Sequence, residues 1–293
     1  MHGWIILDKP LGLSSAQGVA AIKRLGREAG WGKLKIGHGG TLDPLATGVL
    51  PIALGEATKL TGRLLDASKS YRFTIAFGTA TATDDVEGAV VATSEVRPTR
   101  AAIEAMLPRF TGPIVQTPPA YSALKVDGQR AYALARAGAT VELAPRDLTI
   151  YALTLVEADA TSATLEAAVS KGTYIRALAR DLALALGTVG HVSMLRRTKA
   201  GPFAEEAAIS LDKLNALGHS RALEQALLPL TAGLDDIPVL AVEPAQAAML
   251  RQGRLLGGRP ANHGLHLATD SSVPVALVDV SADGVRVVRG FNL

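Results

Sequence analysis

Two hydrophobic periods divide the chain. In "KSYRFTIAF", Tyr71, Phe73, Ile75 and Phe77 occupy every second position, the pattern of a strand with one buried face. The "DDVEG" turn and "AVVAT" after it predict a hairpin. The period then changes. In "PTRAAIEAMLPRF", Ile103, Met106, Leu107 and Phe110 form one helical stripe, with Thr99 as its cap. "KGTYIRALARDLALALG" repeats the helical spacing with Ile175, Leu178, Ala179, Leu182 and Leu186, and Gly187 stops it. Arg176 falls in the first turn of that helix, off the apolar stripe.

The other segments extend this pattern. "GWIILDKPLGLSS" reads as a strand, a turn, and a helix capped by Ser14 or Ser15. "KRLGREAGWGKLKIGHGG" reads as a helix running into a Gly-rich loop, and "VLPIALGEATKL" as a strand and a short helix. "DLTIYALTLVEADATSATLEAAVS" adds two strands. The Pro-rich, then polar and aromatic stretch of about 112–140 predicts a long surface excursion with a brief helix. Near 227–240 the texture changes, and "VPVALVDVSADGVRVVRGF" predicts a strand–turn–strand. The expected organisation is a main domain over 1–235 and a small β-rich unit over 238–293. Strands adjoin strands without strict helix alternation, which predicts an α+β fold with a largely antiparallel sheet.

Composition narrows the chemistry. The 293 residues are 48% hydrophobic, enough for a sizeable core. There is no Cys, which excludes disulfides, thiolate catalysis and zinc ribbons. The net charge of +3 permits a nucleic-acid partner without demanding one. "MHGWIILDKP" carries no secretory signal and no apolar run is long enough to span a bilayer, so a cytoplasmic location without membrane contact is expected.

"GHGGTLDP" fails as a dinucleotide fingerprint, because Leu42 stands where the third glycine belongs, and no G-K-[ST] follows for a P-loop. There is no zinc-protease H-E-x-x-H and no G-x-S-x-G elbow. His263 and His266 lack other clustered donors and read as surface-loop residues. Asp43 has two readings: a turn residue before Pro44, or a reactive carboxylate. The second requires a cation to keep it ionised among apolar neighbours, and Arg176 is the candidate. Tyr71 is either a packed aromatic or a ring for stacking on a base. "LRRTK" is either a solvated face or a phosphate contact.

Five motifs in order, "LDKPLGLSS", "KIGHGGTLDPLATGVLPIALGEATK", "KSYRFTIAFGTATATDDVEG", "QTPPAYSALKVDGQRAYALARAG" and "SKGTYIRALARDL…LG…LRRT", closely resemble the TruB-type tRNA pseudouridine synthases over residues 4 to 205. The resemblance implies the pseudouridine synthase fold: a mixed, largely antiparallel central sheet flanked by helices and loops, followed by a small β-rich, PUA-like domain. It implies base flipping and isomerisation of the T-loop uridine at position 55 of tRNA, with no cofactor and no metal. Asp43 aligns with the essential aspartate, meeting ribose C1′ or C2′ or uracil C6. Arg176 aligns with the arginine paired to it, Tyr71 with the tyrosine that stacks on the uracil, and His38 with the histidine that enters the vacated space. Gly39 and its neighbouring glycines let backbone approach RNA. Lys9 either steadies the active-site loop or contacts RNA. Tyr121, Lys125, Arg130 and Tyr132 belong to a thumb-like insertion that grips the T arm, and Arg196 and Arg197 would hold phosphates. That insertion argues for a stand-alone enzyme without guide RNA, because guide-dependent relatives have it shortened; a monomer is expected. A second role in helping tRNA fold is in keeping with the family; the rival reading, an RNA-binding or RNA-folding protein on an inactive scaffold, is opposed by the intact set of Asp43, Tyr71 and Arg176.

Overall fold

The structure, a computed structural model, describes residues 1–122, 124–126, 128–139, 141, 143–258 and 262–293. Its main sheet follows the order Ile209–Ser210, Gly3–Lys9, Ala46–Leu54, Gly190–Ala200, Lys69–Phe77, Ser162–Val169, Arg146–Ala158 and Gly112–Gln116. Gly190–Ala200 runs parallel to Ala46–Leu54, and Ile209–Ser210 parallel to Gly3–Lys9. The other neighbours on this path are antiparallel. The fold is α+β with a mixed, largely antiparallel sheet.

Side-chain alternation gives the sheet two apolar faces. Ile5, Leu7, Leu50, Ile52, Phe73 and Ile75 point to one face, under the helices Ser15–Glu28 and Ile175–Ala185. Their intervening neighbours Trp4, Ile6, Val49 and Ala53 point to the other. That face is covered by Leu267 and Leu277 of a second, four-stranded sheet and by Phe291, just after its last strand. The Trp4 indole, fully buried there, donates to the Leu230 carbonyl at 3.1 Å, so its one polar atom is satisfied. The second sheet comprises Val239–Ala241, Gly264–Asp270, Val273–Ser281 and Gly284–Gly290, with the helix Pro244–Arg251 packed on it. His266 lies on a strand of this sheet and is buried, with Nδ1 3.0 Å from the Gly264 carbonyl. The surface-loop expectation for it is therefore corrected: the strand is covered on both faces, with Leu267 in one apolar cluster and Ala268 in another.

Helix entry is set locally. Ser14 caps Ser15–Glu28 in a reciprocal box with Gln17, and Thr99 caps Arg100–Met106. The hairpin expected at "DDVEG" is present, with Thr79–Thr81 paired to Val90–Thr93. The excursion begins later than expected. Gly112–Gln116 is a paired strand, its register running from Gly112↔Ile150 to Gln116↔Arg146. The excursion therefore spans 117–145, and it carries a short hairpin, Lys125–Val126 with Gln129–Arg130, and the helix Ala131–Arg136.

Candidate active site

The site is built around the loop 40–44, whose backbone is held at every residue. Arg197 donates from Nη2 to the Gly40 carbonyl at 3.1 Å and from Nη1 to that of Thr41 at 3.3 Å. Ser15 Oγ accepts from the Leu42 amide at 2.7 Å and donates to the Leu42 carbonyl at 2.9 Å. The Asp43 carbonyl accepts from the Ala46 amide at 3.0 Å. The Pro44 carbonyl accepts from the Gly12 amide at 2.8 Å and from Lys9 Nζ at 3.1 Å. An irregular loop against a core can exist only if its polar groups are paired, and this pairing also immobilises the carboxylate it carries.

The cations come from one transverse row of the sheet. Lys9 pairs with Gly48, Gly48 with Arg197, and Arg197 with Tyr71. Residues directly opposite share a face, so Lys9, Arg197 and Tyr71 all project toward the Asp43 loop. Gly48 (φ +98°) completes the row: a Cβ there would stand 2.3 Å from the Arg197 carbonyl oxygen. Lys9 is fully buried and also donates to the Pro10 and Leu13 carbonyls at 3.0 and 2.6 Å. Burial lowers its pKa to about 8, against the pull of Asp43, with Arg197 lowering it further.

Asp43 meets its predicted partner. Arg176 Nη2 lies 2.9 Å from Asp43 Oδ2, and the Arg176 side chain is 6% exposed while that of Asp43 is 40% exposed. On its other edge Arg176 Nη1 lies 3.3 Å from Oδ2 of buried Asp85. The guanidinium also donates to the Thr83 and Tyr121 carbonyls, each at 2.9 Å. A guanidinium engaged on both edges is fixed in place and holds the Asp43 carboxylate in one position. The pair stands where two cavities meet. One, about 320 Å³, is lined by Asp43, Tyr71, Lys69, Tyr174, Arg176 and Leu195. The other, about 800 Å³, has His38, Asp43, Tyr121, Tyr132, Arg136 and Arg176 among its walls.

Several other expected residues take different places. His38 lines the larger cavity, and burial, then Arg197, hold its pKa below the ordinary imidazole value, favouring the neutral ring. Tyr121 and Tyr132 line the same cavity, with Arg136 5.7 Å above the Tyr132 ring. Lys125 is exposed on the short hairpin. The Arg130 side chain lies outside the described residues. Arg197, 1% exposed, donates from each of its three nitrogens to a backbone carbonyl, that of Val49 included, so the phosphate role expected of it is corrected to loop anchoring. Lys9 takes the loop-steadying alternative for the same reason. Arg196, on the opposite sheet face, is paired with Asp8 and Glu205 and is not a free phosphate ligand. Gly39 is also corrected. It is buried, and a Cβ there would stand 2.5 Å from Leu64 Cδ1, so packing rather than RNA demands the glycine. Sequence reasoning missed Asp85, Ser15 and Gly48, although "DD" and "SS" already lay inside quoted motifs.

The description "TruB family pseudouridylate synthase (N terminal domain)" matches residues 27–175, and "tRNA pseudouridylate synthase B C-terminal domain" matches 176–235. The chain belongs to the TruB family. Among its TruB relatives, a protein of Novosphingobium aromaticivorans named tRNA pseudouridine synthase B is 65% identical, covering 100% of this chain and 98% of its own length. A protein of the same name from Zymomonas mobilis is 57% identical, over 100% of this chain and 96% of its own. Among solved structures, an H/ACA ribonucleoprotein bound to a substrate RNA containing 2′-deoxyuridine superposes with a TM-score of 0.74 at 25% identity, covering 99% of this chain and 85% of that one. An archaeal box H/ACA Nop10–Cbf5 complex gives 0.73 at 26% identity, covering 99% and 86%. The TruB scaffold thus extends across both sheets of the chain.

Proposed function

We propose that this chain is a tRNA pseudouridine synthase that isomerises the T-loop uridine at position 55, with Asp43 as the reacting carboxylate. The observation that carries this reading is the Asp43–Arg176–Asp85 chain of charges at the junction of two cavities, one sized for a nucleoside and lined by Tyr71. In the reaction the bond from ribose C1′ to uracil N1 breaks, the base turns over, and C1′ bonds to C5. The proton leaves C5 and a proton is restored at N1, so product and substrate are isomers. Arg176 holds Asp43 Oδ2 and keeps the carboxylate aimed, while its exposed part faces the cleft. Tyr71 supplies a ring wall for the uracil. The flipped base leaves its stack at a cost of about a few kcal/mol. His38, neutral at the wall of the larger cavity, fills the space vacated and offsets part of that cost.

The partner is tRNA, gripped at the T arm by the hairpin and helix of the excursion, with Tyr121, Tyr132 and Lys125 presented toward it. A monomer acting without guide RNA or metal, in the cytoplasm, is the fitting form: full-length relatives at 65% and 57% identity carry a tRNA name, against 25% for the H/ACA neighbour. No helix among the described residues is long and apolar enough to cross a membrane. The four-stranded unit is read as a PUA-like appendage, with Arg286 and Arg289 exposed on its edge strand.

The test is tritium release from C5-tritiated uridine in unmodified tRNA transcript, without guide RNA and with a chelator present. Wild type should release tritium and Asp43→Asn should not. No release by a folded, tRNA-binding wild type would sink the proposal in favour of a binding-only protein. A tRNA-folding role separate from catalysis would survive Asp43→Asn.

A further inference from the structure

A third cavity, about 320 Å³, lies away from Asp43, between the helix Ser15–Glu28 and the loop that follows it. Its walls include Lys23, Gly26, Arg27, Trp31, Lys33 and Ile36. Lys23 and Arg27 are four residues apart and share a helix face. Over residues 22–36 the chain carries five cations and one anion, a surplus of four that exceeds the whole chain's net +3. The single carboxylate, Glu28, is committed to Arg24 at 3.2 Å. Lys23, Arg27 and Lys33 form no ion pair among the described residues and stand exposed.

The aromatic wall is a built feature. Glycine inside a helix is disfavoured relative to alanine. At Gly26 it makes room for the indole: a Cβ there would stand 2.9 Å from Trp31 Cε3. The Trp31 amide donates to the Gly26 carbonyl at 2.9 Å, and Gly30 and Gly32, both with positive φ, carry the chain around the ring. The ring stays half-buried, one side on the helix and the other in the cavity. Ile36 lines this cavity and His38, two residues on along the same strand, lines the cleft beside Asp43. Alternate strand residues face the same side, so cavity and cleft open along one wall.

We propose that this cavity binds one nucleotide of the tRNA substrate outside the reacting uridine, with phosphate on Lys23, Arg27 and Lys33 and a ring face against Trp31. The inference rests on the reading of tRNA as substrate. Flat ring plus unpaired cations is the chemistry of a nucleotide subsite, because every base offers a π face and every linkage a negative charge.

The test follows tRNA binding through intrinsic fluorescence. The chain has two tryptophans, and fully buried Trp4 is shielded, so a change on adding tRNA transcript reports Trp31. Wild type should be quenched by tRNA, and Trp31→Phe should lose the signal. Lys23→Gln with Lys33→Gln should raise Kd and KM about tenfold and flatten the log Kd against log salt slope by about 1.4–1.8, the share of two phosphate contacts. Unquenched Trp31 with an unchanged salt slope in the double variant overturns the proposal, as does wild type that binds no tRNA. These readouts are independent of turnover. Tritium release by wild type with a silent Trp31 would thus leave the proposed reaction standing and remove only this subsite.

Discussion

Ser14 and Ser15 are adjacent, carry the same side chain, and serve different ends. Ser15 Oγ takes both polar groups of Leu42, the residue before Asp43, at 2.7 and 2.9 Å, and Ser15 itself is 3% exposed. Ser15→Ala removes both partners from a buried backbone unit. Each orphaned group costs about 1–3 kcal/mol. Allowing a few tenths for alanine's better helix propensity, the loss is about 2–5 kcal/mol. The freed unit sits beside the reacting carboxylate, and a displacement of about 1 Å there costs about a hundredfold in rate. Ser15→Ala should therefore lower kcat in the tritium-release assay about 10- to 100-fold and lower the urea midpoint. Ser14→Ala loses the helix cap, about 1 kcal/mol, and should leave kcat within about twofold. Should Ser15→Ala keep wild-type kcat and stability, or should the two variants prove indistinguishable, the claim that backbone pairing positions Asp43 is wrong.

Three further outcomes are expected. Asp85→Ala strips buried Arg176 of its buried partner and should destabilise the fold by about 3 kcal/mol in a thermal melt while lowering kcat; a surface-like change below about 0.5 kcal/mol would argue against the charge chain. Lys9 has a folded pKa lowered to about 8, below its unfolded value of 10.5, so between those values the unfolded state binds more protons and stability rises with pH. That rise should shrink in Lys9→Met when unfolding free energies are compared at pH 7.5 and 10, and an equal rise in both proteins would refute it. Gly39→Ala should destabilise by about 1–3 kcal/mol through its clash with Leu64 and be partly rescued by Leu64→Ala, whereas a role in RNA approach alone would leave stability untouched and show no rescue.

Much of the fold was legible along the chain because its cause is local. The every-second-residue pattern at Tyr71, Phe73, Ile75 and Phe77, and the three-and-four spacing at Ile175, Leu178, Ala179 and Leu182, are realised as a strand and a helix on one core. The need of Asp43 for a guanidinium also followed from chemistry alone, and Arg176 stands at 2.9 Å. What stayed hidden was the direction of side chains whose partners are remote in sequence. Alternation requires that Arg196 and Arg197 face opposite sides of their strand, but not which one faces inward. That was decided by the carbonyls of Gly40 and Thr41, 157 and 156 residues away, which have no other donor among the described residues and so draw the guanidinium of Arg197 beneath the loop. Asp85 was likewise settled by Arg176, whose second edge had to be neutralised once the helix buried it. Periodicity within a few residues determined the strands, the helices and the odd carboxylate. Pairing of buried polar groups across the whole chain, a condition that exists only after the strands have aligned, determined which cations serve Asp43.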